Sequence, residues 1–185
     1  MGSWADTFVA SVVSTLASGA APGDIQPMTA YMRHQFLFLG VKAPAQKAAG
    51  RAALCEAGRA TDEDEVVAAI DALWARPERE HRYAGCHLAG RFAPKASTEF
   101  VDHVARWVTT DPWWDTCDPL ARRPFRAAEE QVGSPGRLDA RGEAGRRALE
   151  VVHRDGQTGA GGGRPDDRVG RQGVEKCLHQ ARTVR

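Results

Sequence analysis

Apolar residues in the first 120 positions recur three and four apart, with no alternating run, so the pattern is that of helices rather than strands. Phe8, Val9, Val12, Val13 and Leu16 form one stripe, and Ser3 is placed to cap the helix that carries it. "AAPGD" then breaks the chain. In "PMTAYMRHQF" Pro27 is expected at a helix start, with Met28, Tyr31 and Met32 along one side. "FLFLGVKAP" reads as a loop punctuated by Gly40 and Pro44, with Pro44 opening a helix towards Ala57. Thr61, followed by acidic residues at 62–65, signals the start of the helix in "VVAAIDALWA". Pro77 separates that helix from "EREHRYAGCHLAGRF", and Phe100, Val104, Trp107 and Val108 stripe the next. Asp111-Pro112 predicts one further start, since Asp can cap free N–H groups and Pro tolerates the first helical position. Short antiparallel helices, each with one apolar stripe, bury themselves by stacking in pairs. The expected architecture is all-α, a curved stack of helix pairs without a strict sequence repeat.

Composition divides this picture in two. Residues 1–120 carry 11 Lys/Arg against 15 Asp/Glu, a balance of −4, and hold all five Trp and both Tyr. Residues 121–185 carry 14 against 9, a balance of +5, with 13 Arg and 11 Gly but only 10 large apolar residues. Such a segment buries too little surface to offset its ordering entropy. The expectation is a packed domain over 1–121 and an Arg/Gly-rich, poorly ordered tail over 122–185. Cys55, Cys86, Cys117 and Cys177 are scattered, which suits reduced thiols in a cytoplasmic protein. "FVASVVSTLASGAA" lacks a basic segment before it and follows Asp6, unlike a signal peptide, and no run reaches the roughly 18 apolar residues of a membrane span. A soluble protein without membrane contact is expected.

The candidate chemistry lies in "TTDPWWDTCD", residues 109–118. On a helix, residues four apart share a face, so Trp114 and Asp118 lie together and Trp113 pairs with Cys117. An indole face attracts positive charge, worth about 0.5–2 kcal/mol. A preorganised carboxylate adds the larger electrostatic term. A glycosidic bond breaks through an oxocarbenium-like sugar, which is the charge such a pair would stabilise, and the carboxylate can also orient water. The same spacing also suits a core tryptophan beside a solvated aspartate.

Three blocks, "YMRHQFLFLGVKAP" (31–44), "LWARPEREHRYAG" (73–85) and "WVTTDPWWDTCD" (107–118), together resemble the AlkD-like DNA alkylation-repair glycosylases. The resemblance covers about the first 120 residues. It implies an α-solenoid of HEAT-like helix pairs whose concave face holds duplex DNA. It also implies hydrolysis of the N-glycosidic bond of N3- or N7-alkylated, cationic purines. By the same resemblance Trp114 matches a groove tryptophan and Asp118 a catalytic carboxylate. Tyr31 matches an aromatic lining the lesion site, and Lys42 lies where the family contacts DNA. On residue chemistry alone, Tyr31 also suits a core edge and Lys42 an ordinary surface position. Arg76, Arg79, Arg82 and Arg91 with His81 are candidates to neutralise phosphates, or else to pair with Glu78 and Glu80 or simply to be solvated.

Past "WWDTCDPLA" the family pattern continues with a tryptophan and then a catalytic arginine, and neither is recognisable here. The abrupt change of composition suggests a shifted reading frame in a GC-rich gene, with a true basic tail as the competitor. Loss of the later helix pairs would leave an apolar side open and favour low solubility or a molten edge. "GAGGGR" lacks the ending of a phosphate loop, "CLH" (177–179) and the dispersed histidines have no zinc spacing, and no nucleophile motif is present. No metal or other cofactor is expected. The expected partner is duplex DNA containing alkylated purines. The alternatives to an active glycosylase are a truncated, inactive relative, a non-catalytic helical-repeat module that binds DNA or protein, and a decaying gene product with no stable function.

Overall fold

The computed structural model describes residues 2–60, 62–97 and 99–120. Thr61, Cys177 and the segment 122–185, with the tail expectations attached to it, lie outside the described residues. Within them the chain is all-α, as the spacing predicts. Seven helices follow in order: α1 (Trp4–Ser18), α2 (Pro22–Tyr31), α3 (Ala43–Ala57), α4 (Glu63–Trp74), α5 (Arg79–Phe92), α6 (Phe100–Thr109) and α7 (Trp114–Leu120), with a 3-10 turn at Ala93–Lys95. The sole β-type pairing among the described residues is an isolated bridge between Leu37 and Glu78. The described residues divide into two units, the first ending at Ala89 and the second beginning at Gly90.

In the first unit α1 packs against α3 and α4. Its stripe supplies Phe8, Val12 and Leu16, all buried, against Ala49 and Ala53 of α3 and Val66, Ile70 and Leu73 of α4. Burying a side chain of that size contributes about 1.5–3 kcal/mol. The start of α1 is fully capped: Ser3 Oγ accepts from Asp6 N–H while the Asp6 carboxylate accepts from Ser3 N–H. Glu65 of α4 accepts from Ala5 N–H at 2.8 Å, so a donor that the helix cannot satisfy itself is bonded by its packing neighbour. Trp4 stacks on Phe8 at 5.2 Å and donates its indole N–H to Gly58 O. The apolar N-terminal run is thus core. At Gly85 in α5 an added Cβ would lie 3.3 Å from the Trp74 ring, which is why α5 carries a glycine where it meets α4.

One helix start in this unit differs from the expectation. Pro27 lies inside α2, which begins five residues earlier at Pro22; Pro22 occupies the first turn, where no intrahelical N–H is needed, whereas Pro27 removes one donor from the helix interior. Of the side predicted from Met28, Tyr31 and Met32, Met32 is buried and Tyr31 is exposed. Helix α4 is capped by Asp62, whose carboxylate accepts from Asp64 N–H.

In the second unit Phe100, Val104, Trp107 and Val108 of α6 are all buried, as their spacing predicts. Phe100 bridges Phe92 at 5.8 Å and the edge of Trp107 at 5.6 Å. Thr109 and Thr110 turn their hydroxyls back onto the carbonyls of Ala105 and Arg106 and close the helix. Asp111 then reverses the chain at φ 48°, a left-handed conformation that Asp tolerates better than most residues. It is therefore the turn residue, and α7 starts at Trp114, with Trp113 O accepting from Thr116 N–H and Cys117 N–H.

The tightest backbone passage is at Gly40, with φ +85° and only 2.1 Å from an added Cβ to Ala21 O. Gly40→Ala is expected to destabilise by at least about 2 kcal/mol in urea unfolding. Gly50 lies in α3 with open space around its Cα. Gly50→Ala is expected to stabilise by about 0.5–1 kcal/mol.

Candidate functional site

The loop between α2 and α3 is held by a buried carboxylate. Glu80, in the first turn of α5, is fully buried. Its Oε1 accepts from the N–H groups of Leu39 (3.1 Å), Gly40 (3.0 Å) and Val41 (3.1 Å), and Oε2 also lies 3.1 Å from Leu39 N. Three consecutive amides converging on one anion offset the desolvation that an isolated buried carboxylate would suffer. The carbonyls are fixed as well: Leu39 O accepts from Ala21 N–H at 3.0 Å, and Val41 O accepts from the Gln46 side chain at 2.6 Å. One residue earlier in α5, Arg79 is buried, with its guanidinium 3.8 Å from the Phe36 ring centroid and its N–H on Leu37 O at 2.9 Å.

This frame presents two of the sequence-predicted residues. Lys42 is the N-cap of α3, its side chain is 68% exposed, and its Nζ lies 3.0 Å from Asp24 Oδ1. Tyr31 ends α2 and is 68% exposed. Leu37, which the sequence reading did not single out, is 62% exposed; it and Tyr31 are the exposed large hydrophobic residues among those described.

In the second unit, Thr116, Cys117 and Leu120 form the buried side of α7. Trp114 and Asp118 are both half-buried and lie on the other side, one helical turn apart. Asp115 is half-buried as well. Cys117 is sealed in the core, as the sequence pairing with Trp113 implied, whereas Trp113 is half-buried.

A further cleft of about 510 Å³ runs between α1 and α4, lined by Asp6, Asp62, Asp64, Glu65 and Arg76. Three of its carboxylates are engaged at helix ends. No group of three or more His, Cys, Asp or Glu side chains among the described residues is arranged to hold a metal ion. No single helix among them is long and apolar enough to cross a membrane.

The family model of the DNA alkylation repair enzymes matches residues 12–138. The chain belongs to that family. A solved structure from Enterococcus faecalis, described as a predicted DNA alkylation repair enzyme, has the same fold. The two superpose with a TM-score of 0.55 at 24% identity, over 88% of this chain and 74% of that one. No curated protein matches. Family membership gives this DNA alkylation repair protein a role in DNA repair, with DNA as its partner.

Several arginine-run candidates are not available to phosphates. Arg79 and His81 are buried, and Arg82 is half-buried with Nε donating to Trp74 O at 3.3 Å. Glu80 is missed by local reasoning, because its partners lie 39 to 41 residues away. The available signal was Gly40, whose positive φ marks a loop that something must hold.

His81 gives the repair protein a pH dependence. Burial pulls its imidazole below the ordinary value of 6.5, and the Arg76 charge adds to this. The Glu78 carboxylate, 3.4 Å from Nδ1, pulls the other way and is outweighed. The unfolded chain therefore binds this proton more readily than the folded one. Stability present above pH 6.5 falls as pH drops below it. Urea unfolding at a series of pH values should show that fall, and His81→Phe should flatten it.

Proposed function

We propose that this protein is a DNA glycosylase that hydrolyses the N-glycosidic bond of N3- or N7-alkylated purines in duplex DNA. The observation that carries the reading is the pairing of Trp114 and Asp118 on the outward side of α7, one turn apart and half-buried. An alkylated purine is cationic and leaves with the C1′–N electron pair, which neutralises it. No strong general acid is then required. Positive charge instead develops on the sugar, where the indole face and the Asp118 carboxylate stabilise it. Water adds to C1′ with Asp118 orienting it, and the released proton passes to solvent. By family resemblance Tyr31 is assigned to lesion recognition and Lys42 to the DNA backbone. The half-buried setting supports this assignment, since a partly desolvated carboxylate acts more strongly on a nearby cation than a solvated one.

Lys42 reaches a phosphate by exchanging its Asp24 partner for it. The negative balance of residues 1–120 makes such local cations decisive, because the surrounding charge repels DNA.

Release of N7-methylguanine from duplex DNA tests the chemistry. Asp118→Asn is expected to slow release by about 10²–10³-fold with thermal unfolding unchanged and duplex affinity undiminished. Trp114→Ala is expected to slow it by about 2- to 30-fold. Undiminished release by Asp118→Asn would sink the assignment, and salt-dependent duplex binding without release by the wild-type chain would favour a non-catalytic helical-repeat module. Asp24→Asn, which removes the competitor for Lys42, is expected to tighten duplex binding about two- to fivefold in low salt, measured by fluorescence anisotropy.

A further inference from the structure

We infer that Glu80 is a positioning residue for DNA engagement: its buried carboxylate fixes the backbone of residues 39–41 so that Lys42 is presented to a phosphate in one preset direction. The inference rests on the reading of Lys42 as a DNA-backbone contact and assigns the device that orients it.

A fully buried carboxylate is expensive in desolvation, and at Glu80 that cost is offset by three loop amides that an apolar side chain would leave open. What Glu80 holds is loop backbone: Leu39 is half-buried, Gly40 and Val41 are buried, and Lys42, the next residue, is exposed, so the clamp acts on backbone amides at the point where the chain leaves the interior. From Leu39 to Lys42 the chain is pinned from several directions. Glu80 takes the N–H groups of 39, 40 and 41, Ala21 takes the carbonyl of 39, Gln46 takes that of 41, and Ala45 and Gln46 N–H groups take that of 42. Gly40 permits the turn, with no Cβ to strike Ala21.

Lys42 is the first residue beyond the clamp. Its backbone is set before any ligand arrives, and only side-chain rotamers remain to be ordered on binding. Preorganisation of that kind lowers the entropic cost of a contact without adding a new one. Lysine benefits particularly, because its ammonium is a point charge on a long flexible stem.

The test uses the full chain and a short undamaged duplex, with affinity measured by anisotropy between 50 and 200 mM salt. Loss of one phosphate contact should flatten the slope of log K against log salt by about 0.9, so affinity falls about threefold less across that range. Lys42→Ala is expected to show this flattening. Glu80→Gln should weaken binding and reproduce most of it, and should add nothing further when combined with Lys42→Ala. Removal of a negative charge by itself would strengthen DNA binding, so the sign separates positioning from simple electrostatics. An unchanged slope in Glu80→Gln, or an equal loss with and without Lys42→Ala, would overturn the inference while leaving Lys42 as a contact. An unchanged slope in Lys42→Ala would overturn the reading of Lys42 and this inference with it. Should Glu80→Gln not unfold cooperatively, Gln46→Met releases the Val41 carbonyl instead; flattening there supports the positioning role, and a wild-type slope overturns it.

Discussion

One carboxylate organises the loop between α2 and α3. Glu80 satisfies three amide donors that no helix or strand could satisfy, and it does so from the opening turn of α5, 39 to 41 residues away in sequence. A buried loop with open N–H groups would be costly at each one. With the carboxylate in place, "FLGVK" becomes as well defined as a regular element, and Gly40 can pass against Ala21. The position of α3 follows, since its N-cap is the residue that leaves this clamp. Exposure of Lys42 and burial of Val41 are two outcomes of the same set of hydrogen bonds.

Much of the fold was legible because most of its helices are specified by near neighbours. Ser3 and Asp6 announce α1 within a single turn, and the stripe of α6 lies wholly inside its own ten residues. Misreadings occur where a residue type suits two backbone roles. Pro27 resembles an N-terminal proline yet rides within α2, and Asp111 resembles a cap yet takes the left-handed turn before α7. In both, local preference permits the alternative and the path of the chain selects between them.

Legibility of the candidate site follows the same division. Trp114 and Asp118 are related by one helical turn, and spacing alone places them together on α7. Tyr31 and Lys42 could be named only through resemblance, because nothing near them in sequence reveals their exposure. Glu80 and Arg79 lay within a run of alternating charges that suggests solvated ion pairs. Burial turned the first into a clamp and the second into a cation over Phe36. Long-range hydrogen bonding is invisible to periodicity, and there the reading of the chain runs out.

The acid-lined cleft between α1 and α4 acts at longer range than any contact described above. Three of its carboxylates serve as caps and an inter-helix brace, and their charges remain after that duty is done. To an approaching polyanion this surface is a hill in the electrostatic landscape, sensed across roughly a Debye length of about 8–10 Å. The residues that secure two helix starts thus also leave this face unfavourable to a polyanion.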